Sequence, residues 1–217
     1  MKCIQRPNRG WDPIPSAYSK KYATREYLNL DRKLVDEVES LAGGLGGKHL
    51  LDLGGGPGQY SVAFAQRGAR VHWHDISRNY LEIAKSEARK LNVHFEFSLD
   101  YMEDAVGEYD VVFNRVCWCY CISDKSFAGK ILSLVRPGGV GYLVINTERY
   151  LEQKWGSMPL ALRLRSRLFF FLNDTISLKI GHVMPSHRKI ERLFHRMPLR
   201  NLDLGFRDEM TVVRFRR

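Results

Sequence analysis

Between residues 16 and 42 apolar side chains recur at helical spacing. Leu30, Leu34, Val38 and Leu41 fall on one stripe, while Asp31, Lys33, Glu37 and Glu39 lie off it. Gly43 and Gly44 stop the run, so one helix is expected there. A short apolar stretch at 50–53 then ends in four glycines within five positions, Gly54, Gly55, Gly56 and Gly58. Helix-forming residues return, with Tyr60, Ala63 and Phe64 on one face and a stop at Gly68. From here strands and helices alternate. Residues 70–74 read as a strand ending at Asp75, and Leu81, Ala84, Ala88 and Leu91 mark a helix that begins near Ser77. Residues 93–97 alternate as a third strand, followed closely by Asp100, and residues 109–114 read as a buried fourth strand. Phe127, Ile131, Leu134 and Val135 mark a helix terminated by Pro137, Gly138 and Gly139, and a fifth strand follows at 140–145.

This rhythm implies an α/β fold with a doubly wound parallel sheet. The last third departs from it. Residues 148–181 form a long connection that contains a basic, apolar segment at 160–172, and a helix follows at 186–195 with Ser186 as its N-cap. Strands at 199–204 and 210–215, with a turn at 205–209 between them, close the chain as a hairpin.

The 217 residues fit one α/β domain with its own core. Apolar content of 44% and charged content of 27% are those of a folded soluble protein. Met1 to Pro7 lacks an apolar core of signal-peptide length and no run is long enough to span a bilayer, so a cytoplasmic address is expected. Cys117, Cys119 and Cys121 stand at alternate positions of one segment, where they cannot bridge one another comfortably, and with Cys3 they lack a second ligand pair for zinc. Reduced thiols and no metal are expected. The net charge of +10 is unevenly placed, because residues 151–217 carry 14 basic and 6 acidic side chains. That asymmetry points to an anionic partner: an acidic metabolite, nucleic acid or an acidic membrane surface.

The glycine turn is the clearest chemical signal. A glycine-rich turn at the end of a strand lets main-chain N–H groups approach a nucleotide-like ligand. A dinucleotide turn requires Gly-x-Gly-x-x-Gly or Ala, and from Gly54 the last required position is Gln59. The chain carries Asp52-x-Gly54-x-Gly56-x-Gly58 instead, which resembles motif I of the class I S-adenosylmethionine-dependent methyltransferases. Asp75, 21 residues after Gly54 and followed by Ile76, resembles the family's acid at the end of strand two. Asp100 resembles the acid after strand three, residues 109–114 its strand four, and Leu134-Val-Arg-Pro-Gly-Gly139 the turn before strand five. Residues 45–147 match in order and spacing, and the terminal hairpin resembles the family's reversed sixth and seventh strands.

The resemblance implies a Rossmann-like, doubly wound, mostly parallel seven-stranded sheet with a C-terminal antiparallel hairpin. The chain is then a single domain: an N-terminal cover at 1–44, a cofactor-binding core at 45–147, a substrate lid and last helix at 148–198, and the hairpin at 199–217. S-adenosylmethionine is the implied cofactor. Asp52, Gly54, Gly56 and Gly58 would serve its methionyl part, Asp75 its ribose, Asp100 and Tyr101 its adenine, and Asn114 its ammonium, with Ile76 also among the cofactor-binding residues.

For the acceptor side the candidates are His182 as a general base, Tyr18 and Tyr22 as aromatic cover near a sulfonium, and Trp118 as a wall or core residue. Asn114-Arg-Val-Cys departs from the Asn-Pro-Pro-Tyr tetrad of many enzymes that methylate planar amino groups of bases. The carboxyl-terminal arginines are dispersed among apolar residues, so nucleic acid is not expected and a small, anionic metabolite methylated on O, N or C is favoured. Segment 160–172 reads first as a substrate lid and alternatively as an interfacial helix, as for an enzyme methylating a quinone precursor or lipid-linked sugar. An RNA methyltransferase, a catalytically silent cofactor-binding subunit and a nicotinamide-dependent reductase are the competing readings. Oligomeric state is not legible in the sequence.

Overall fold

In a computed structural model that describes residues 12, 14–149, 152 and 156–217, seven strands form one mixed sheet in the order β3-β2-β1-β4-β5-β7-β6. The strands are β1 (His49–Leu53), β2 (Arg70–Asp75), β3 (Phe95–Leu99), β4 (Tyr109–Arg115), β5 (Val135–Asn146), β6 (Arg200–Arg207) and β7 (Met210–Arg216). The described helices are α1 (Ser16–Leu28), α2 (Arg32–Ala42), α3 (Gln59–Gln66), α4 (Arg78–Lys90), α5 (Asp124–Leu134), α6 (Leu160–Ile176) and α7 (His187–His195). β1 pairs in parallel with β2 and β4, β2 pairs in parallel with β3, and β6 and β7 are antiparallel. The expected doubly wound sheet with a terminal hairpin is therefore present.

The chain divides into two compact units. The first holds Met1–Phe113 and Leu134–Val140, the second Asn114–Ser133 and Gly141–Arg217. In the first, β1 is filled by Leu50, Leu51 and Leu53, all fully buried, as expected of a strand covered on both faces. Phe64 and Phe113 meet edge to face at 5.0 Å, and Trp73, Tyr80 and Ala84 form a cluster against which Ile14, Tyr22 and Phe97 pack. Strand order reverses between β1 and β4, and such a reversal leaves a crevice beyond the strands' carboxyl ends. In the second unit Trp118, Phe127, Phe194 and Phe215 are buried together.

Several boundaries differ from the sequence expectation. The single helix expected over 16–42 is two, because Asn29 Nδ2 donates to the Arg25 carbonyl at the end of α1 and Asp31 caps α2 by accepting from Leu34 N at 3.1 Å. β3 begins two residues late, after Asn92 takes φ +52° and Val93 N bonds back to Ala88. Residues 135–139, expected to close a helix and a turn, already belong to β5. In the hairpin Gly205 and Phe206 pair with Val212 and Thr211, so the turn is only Asp208 and Glu209, with Asp208 at φ +52°. Cys117 and Cys121 flank, and Cys119 lies within, a 3₁₀ turn at Trp118–Tyr120, so the three do not share a strand face; none of them forms a disulfide among the described residues, and Cys3 lies outside those residues. No helix among the described residues is long and apolar enough to cross a membrane.

Candidate functional site

The loop after β1 is built by close approach. Gly54, Gly56 and Gly58 take φ of +79°, +53° and +88°, which L side chains rarely adopt. Gly55, outside the expected set, is required for a different reason. A Cβ there would stand 2.4 Å from the Trp73 indole, whose Nε1 donates to the Gly56 carbonyl at 3.0 Å. Gly58 opens α3, and a Cβ on it would meet Ala84 Cβ at 2.8 Å. Asp52, buried under the loop, accepts from Ser61 Oγ at 2.6 Å and ties β1 to α3. Tyr27 on α1 donates to the Pro57 carbonyl at 3.1 Å, so α1 braces the loop from outside.

At the end of β2, Asp75 Oδ2 accepts from Gly56 N at 3.0 Å and Oδ1 from Ser77 N at 2.9 Å. Burial pushes its pKa up to about 6, opposed by the backbone amides of Ser77, Gly56 and Ile76 and reinforced by nearby Asp12. The result is a half-buried carboxylate at a strand end, fastened to the glycine loop. Asp100 lies on the adjacent strand end, where its amide donates to the Asp75 carbonyl at 3.1 Å and its exposed Oδ1 accepts from Tyr101 N at 2.9 Å. The Tyr101 carbonyl accepts from Asp104 N at 2.9 Å and lies 2.9 Å from His74 Nε2. The expected residues Asp52, Gly54, Gly56, Gly58, Asp75, Ile76, Asp100 and Tyr101 are thus gathered around the ends of β1, β2 and β3.

The amino-terminal arm contributes a residue that sequence reasoning missed. Asp12 accepts from Ser77 Oγ and Asn79 N, each at 2.9 Å, and so supplements Ser77 at the start of α4. Nothing in the local sequence marks it, because its partners are 65 and 67 positions away. Tyr18 is exposed and stacks on Tyr22 at 5.8 Å, while Tyr22 packs on Tyr80 at 5.9 Å. A cleft of about 290 Å³ between α1 and α4, lined by Lys20, Ala23, Thr24, Tyr27, Ile83 and Glu87, contains none of the expected residues.

In the second unit Asn114 is fully buried at the end of β4, and its Nδ2 lies 2.8 Å from Cys117 Sγ. Val116, two residues on, holds φ +63°, an outlier for a β-branched residue and a store of about 1–3 kcal/mol of backbone strain. Trp118 lies in the core and not at a wall: it is 1% exposed, packs on Phe127 and Phe194, and donates from Nε1 to Asp124 Oδ1 at 2.9 Å. Asp124 anchors a buried charge cluster with Lys179 at 3.1 Å and Lys189 at 2.8 Å. Burial raises the Asp124 pKa, but the two ammonium groups outweigh it and hold the carboxyl below its ordinary value. His182 is exposed, its ring set against Tyr120 at 4.7 Å; desolvation there, with Lys179 adding to it, lowers its pKa. It is a neutral imidazole near pH 7, the form a general base requires.

The arrangement fits a ligand with a nucleoside and a charged tail. Ribose hydroxyls donate to carboxylates, and Asp75 is placed as such an acceptor beside main-chain N–H groups. Gln59 Oε1, buried at the start of α3, has no hydrogen-bond partner among the described residues and offers an acceptor to a donor such as an ammonium.

Comparison with known proteins agrees with this geometry. Residues 50–139 match the family model described as a methyltransferase domain. The chain is 30% identical over 135 residues to the ubiquinone biosynthesis O-methyltransferase of Bordetella avium, a match that covers 60% of this chain and 53% of that protein. The chain spans about half the length of the curated relatives it matches. Among solved structures, a putative S-adenosyl-L-methionine-dependent methyltransferase from Methanococcus maripaludis superposes with a TM-score of 0.64 at 14% identity, over 92% of each chain. The magnesium protoporphyrin IX methyltransferase of Synechocystis, solved with bound SAM, superposes with a TM-score of 0.59 at 16% identity, over 86% of this chain and 78% of that one.

Proposed function

We propose that this chain, which belongs to the class I S-adenosylmethionine-dependent methyltransferases, transfers a methyl group to an O, N or C atom of a small acceptor carried at an anionic membrane surface. When bound, S-adenosylmethionine supplies an already activated methyl group. What the protein adds is binding, alignment and exclusion of water. Asp75 accepts the ribose hydroxyls, the amides of the glycine loop and the start of α3 face the methionyl end, and Asp100 and Tyr101 border the adenine. His182 accepts the acceptor's proton where one must leave.

The observation that carries the membrane reading is α6. Leu160, Leu162, Leu164, Leu168 and Phe171 are each 42–61% exposed, and Leu178 and Ile180 beyond the helix continue the apolar surface. A lid closed over a pocket would bury such side chains. The same helix exposes Arg165 and Arg167 and half-buries Arg163, and arginine beside apolar residues suits the boundary between headgroups and acyl chains. The basic excess of residues 151–217 supports an anionic leaflet. The curated relatives' names in ubiquinone biosynthesis favour an amphiphilic, quinone-like acceptor over a freely soluble one.

Co-sedimentation with vesicles of phosphatidylglycerol and phosphatidylethanolamine tests this. Binding should weaken at least tenfold in Leu164→Glu/Phe171→Glu and in 0.5 M salt (roughly a threefold shorter screening length than in 0.05 M), with S-adenosylhomocysteine affinity unchanged. Undiminished activity on a soluble anionic metabolite with no vesicle binding would favour the lid instead.

A further inference from the structure

Across β2, β3 and β4 of the first unit four polar side chains are linked end to end. The Tyr109 hydroxyl lies 2.6 Å from His72 Nδ1, His72 Nε2 lies 2.8 Å from Ser98 Oγ, and Ser98 Oγ lies 2.6 Å from His74 Nδ1. His74 Nε2 ends the chain 2.9 Å from the Tyr101 carbonyl, while at the other end the Tyr109 hydroxyl is 2.9 Å from the Val106 carbonyl. These are five contacts. Each needs one proton. With both imidazoles neutral only four are present, one on each hydroxyl and one on each ring.

One contact must therefore go unmade, and burial decides which. Carbonyl oxygens only accept, so both ends demand a donor. Leaving out the Tyr101 contact would set a His74 lone pair against a carbonyl on a side chain that is 3% exposed. A gap at Ser98 would strand an imidazole nitrogen between two strands. Val106, by contrast, is 74% exposed, and water can serve its carbonyl. The relay is thus polarised from Tyr109 through His72, Ser98 and His74 to Tyr101, with both rings carrying their proton on Nε2. Uptake of one further proton by either ring restores the Val106 contact and leaves the His74 Nε2–H in place.

His74 also holds the other side of the site. Its carbonyl accepts from Gly54 N at 2.7 Å and Gly55 N at 3.1 Å, and Asp75 is its neighbour in sequence. We propose that His74 is a positioning residue for the cofactor, whose main chain seats the glycine loop while its tautomer-locked side chain fixes the Asp100–Tyr101 turn beside the adenine. This rests on the cofactor reading given above. The charged groups facing the relay are Glu96 beside His72, and Asp100 and Asp104 beside His74; they favour an added proton, whereas burial disfavours it at both rings. Because the Nε2–H persists in both states, the turn's hold on the adenine does not titrate.

Nitrogen-15 NMR of the wild-type chain at pH 7.5 should show His74 as the neutral Nε2–H tautomer; an Nδ1–H tautomer or an imidazolium would overturn the relay. His74→Gln places an amide donor where Nε2 was and should keep S-adenosylhomocysteine affinity within about twofold, whereas His74→Asn, with its donor at the Nδ1 position, should weaken it about three- to tenfold, the range of one lost hydrogen bond. In turnover the loss should appear in the KM for S-adenosylmethionine and not in that for the acceptor. Equal losses in the two variants, or none in either, would overturn the positioning role. Absence of S-adenosylhomocysteine binding by the wild type would instead overturn the cofactor reading, and leaves the tautomer measurement standing as the separate test of the relay.

Discussion

Asp75 should be a residue whose removal stabilises the fold and disables cofactor binding. Its folded pKa is about 6 against an ordinary value of 3.8, so the ionised carboxylate is held at neutral pH against its own burial. Taken at face value, a gap of that size corresponds to about 3 kcal/mol of lost stability above pH 6. Residual solvent contact reduces this, and Asn would forfeit one of the two amide contacts that Asp75 now accepts. Asp75→Asn should therefore be neutral to about 1 kcal/mol more stable at pH 7.5, a rise of at most a few degrees in Tm for a chain of this length.

The sign in pH follows from the raised pKa. Wild-type protein binds a proton at Asp75 more tightly when folded, so it gains stability as pH falls through 6 towards 4, and the gap between wild type and Asp75→Asn closes over that window. Cofactor binding behaves oppositely. S-adenosylhomocysteine affinity should be flat above pH 6 in the wild type and weaken towards tenfold per unit below it as the carboxylate protonates. In Asp75→Asn it should be about two orders of magnitude weaker and insensitive to pH in that window, since two hydrogen bonds to a charged acceptor contribute about 3 kcal/mol or more. Calorimetric titration and thermal unfolding at pH 5 to 8 measure both. A variant destabilised by more than about 1 kcal/mol at pH 7.5, with a gap that does not close on acidification, would show that the carboxylate is a structural strut and refute the reasoning.

Further outcomes are expected elsewhere. Gly55→Ala sets a methyl 2.4 Å from the Trp73 ring and should lower stability by about 1–3 kcal/mol together with cofactor affinity, partly restored when Trp73→Phe is added; loss of affinity without loss of Tm would argue against the steric account. Asp124→Asn removes the carboxylate of two buried lysines and should cost about 3–5 kcal/mol in urea denaturation, whereas Asp124→Asn with Lys189→Met should recover part of it. Because Asp124 has a depressed pKa, its contribution is present at neutral pH and disappears only as pH falls below the ordinary carboxyl range, well under the Asp75 window. His182→Gln should lower kcat and abolish an acid limb that lies below the ordinary imidazole pKa; an unchanged pH–rate profile would remove His182 from the chemistry.

The first part of the sheet, with its glycine turn and strand-end acids, was legible in the sequence because its determinants are local. A glycine turn, an acid at the end of a strand and a second acid at the end of the next are each set by the few residues around them, and parallel pairing of β1 with β2 and β2 with β3 brings them together without further information. The helix break at Asn29 to Asp31 was marked by two capping residues, but the apolar stripe continued across them and dominated the pattern. Gly55 was hidden at a variable position of the motif, since what excludes a side chain there is Trp73, 18 positions away on another strand. Asp12 and the His72–Ser98–His74 relay were hidden for the same reason, as contacts between residues far apart in sequence.

On the acceptor side the decisive contacts are between side chains distant in sequence, so residue type is a poor guide to role. Trp118 is apolar, follows β4 and has the surroundings of a substrate wall in sequence; only the pairing of its Nε1 with Asp124, and of Asp124 with Lys179 and Lys189, shows that it is tied into a buried charge cluster. A carboxylate shared by two lysines is costly to bury and becomes tolerable only when its remaining lone pairs are used, as they are here by Trp118 and Asn173. Lys179 fastens the segment after α6 to the turn after β4 by donating to the Trp118 carbonyl, while Lys189 in α7 pairs with Asp124 and donates to the carbonyl of Asn173 in α6. α6 therefore has a fixed base at Asn173, which is buried, and an exposed apolar length before it. A helix anchored by charge at one end and apolar along the rest is suited to lie on a bilayer boundary without unfolding the acceptor side, which is why the vesicle experiment, more than any single substitution at the glycine loop, bears on what is methylated.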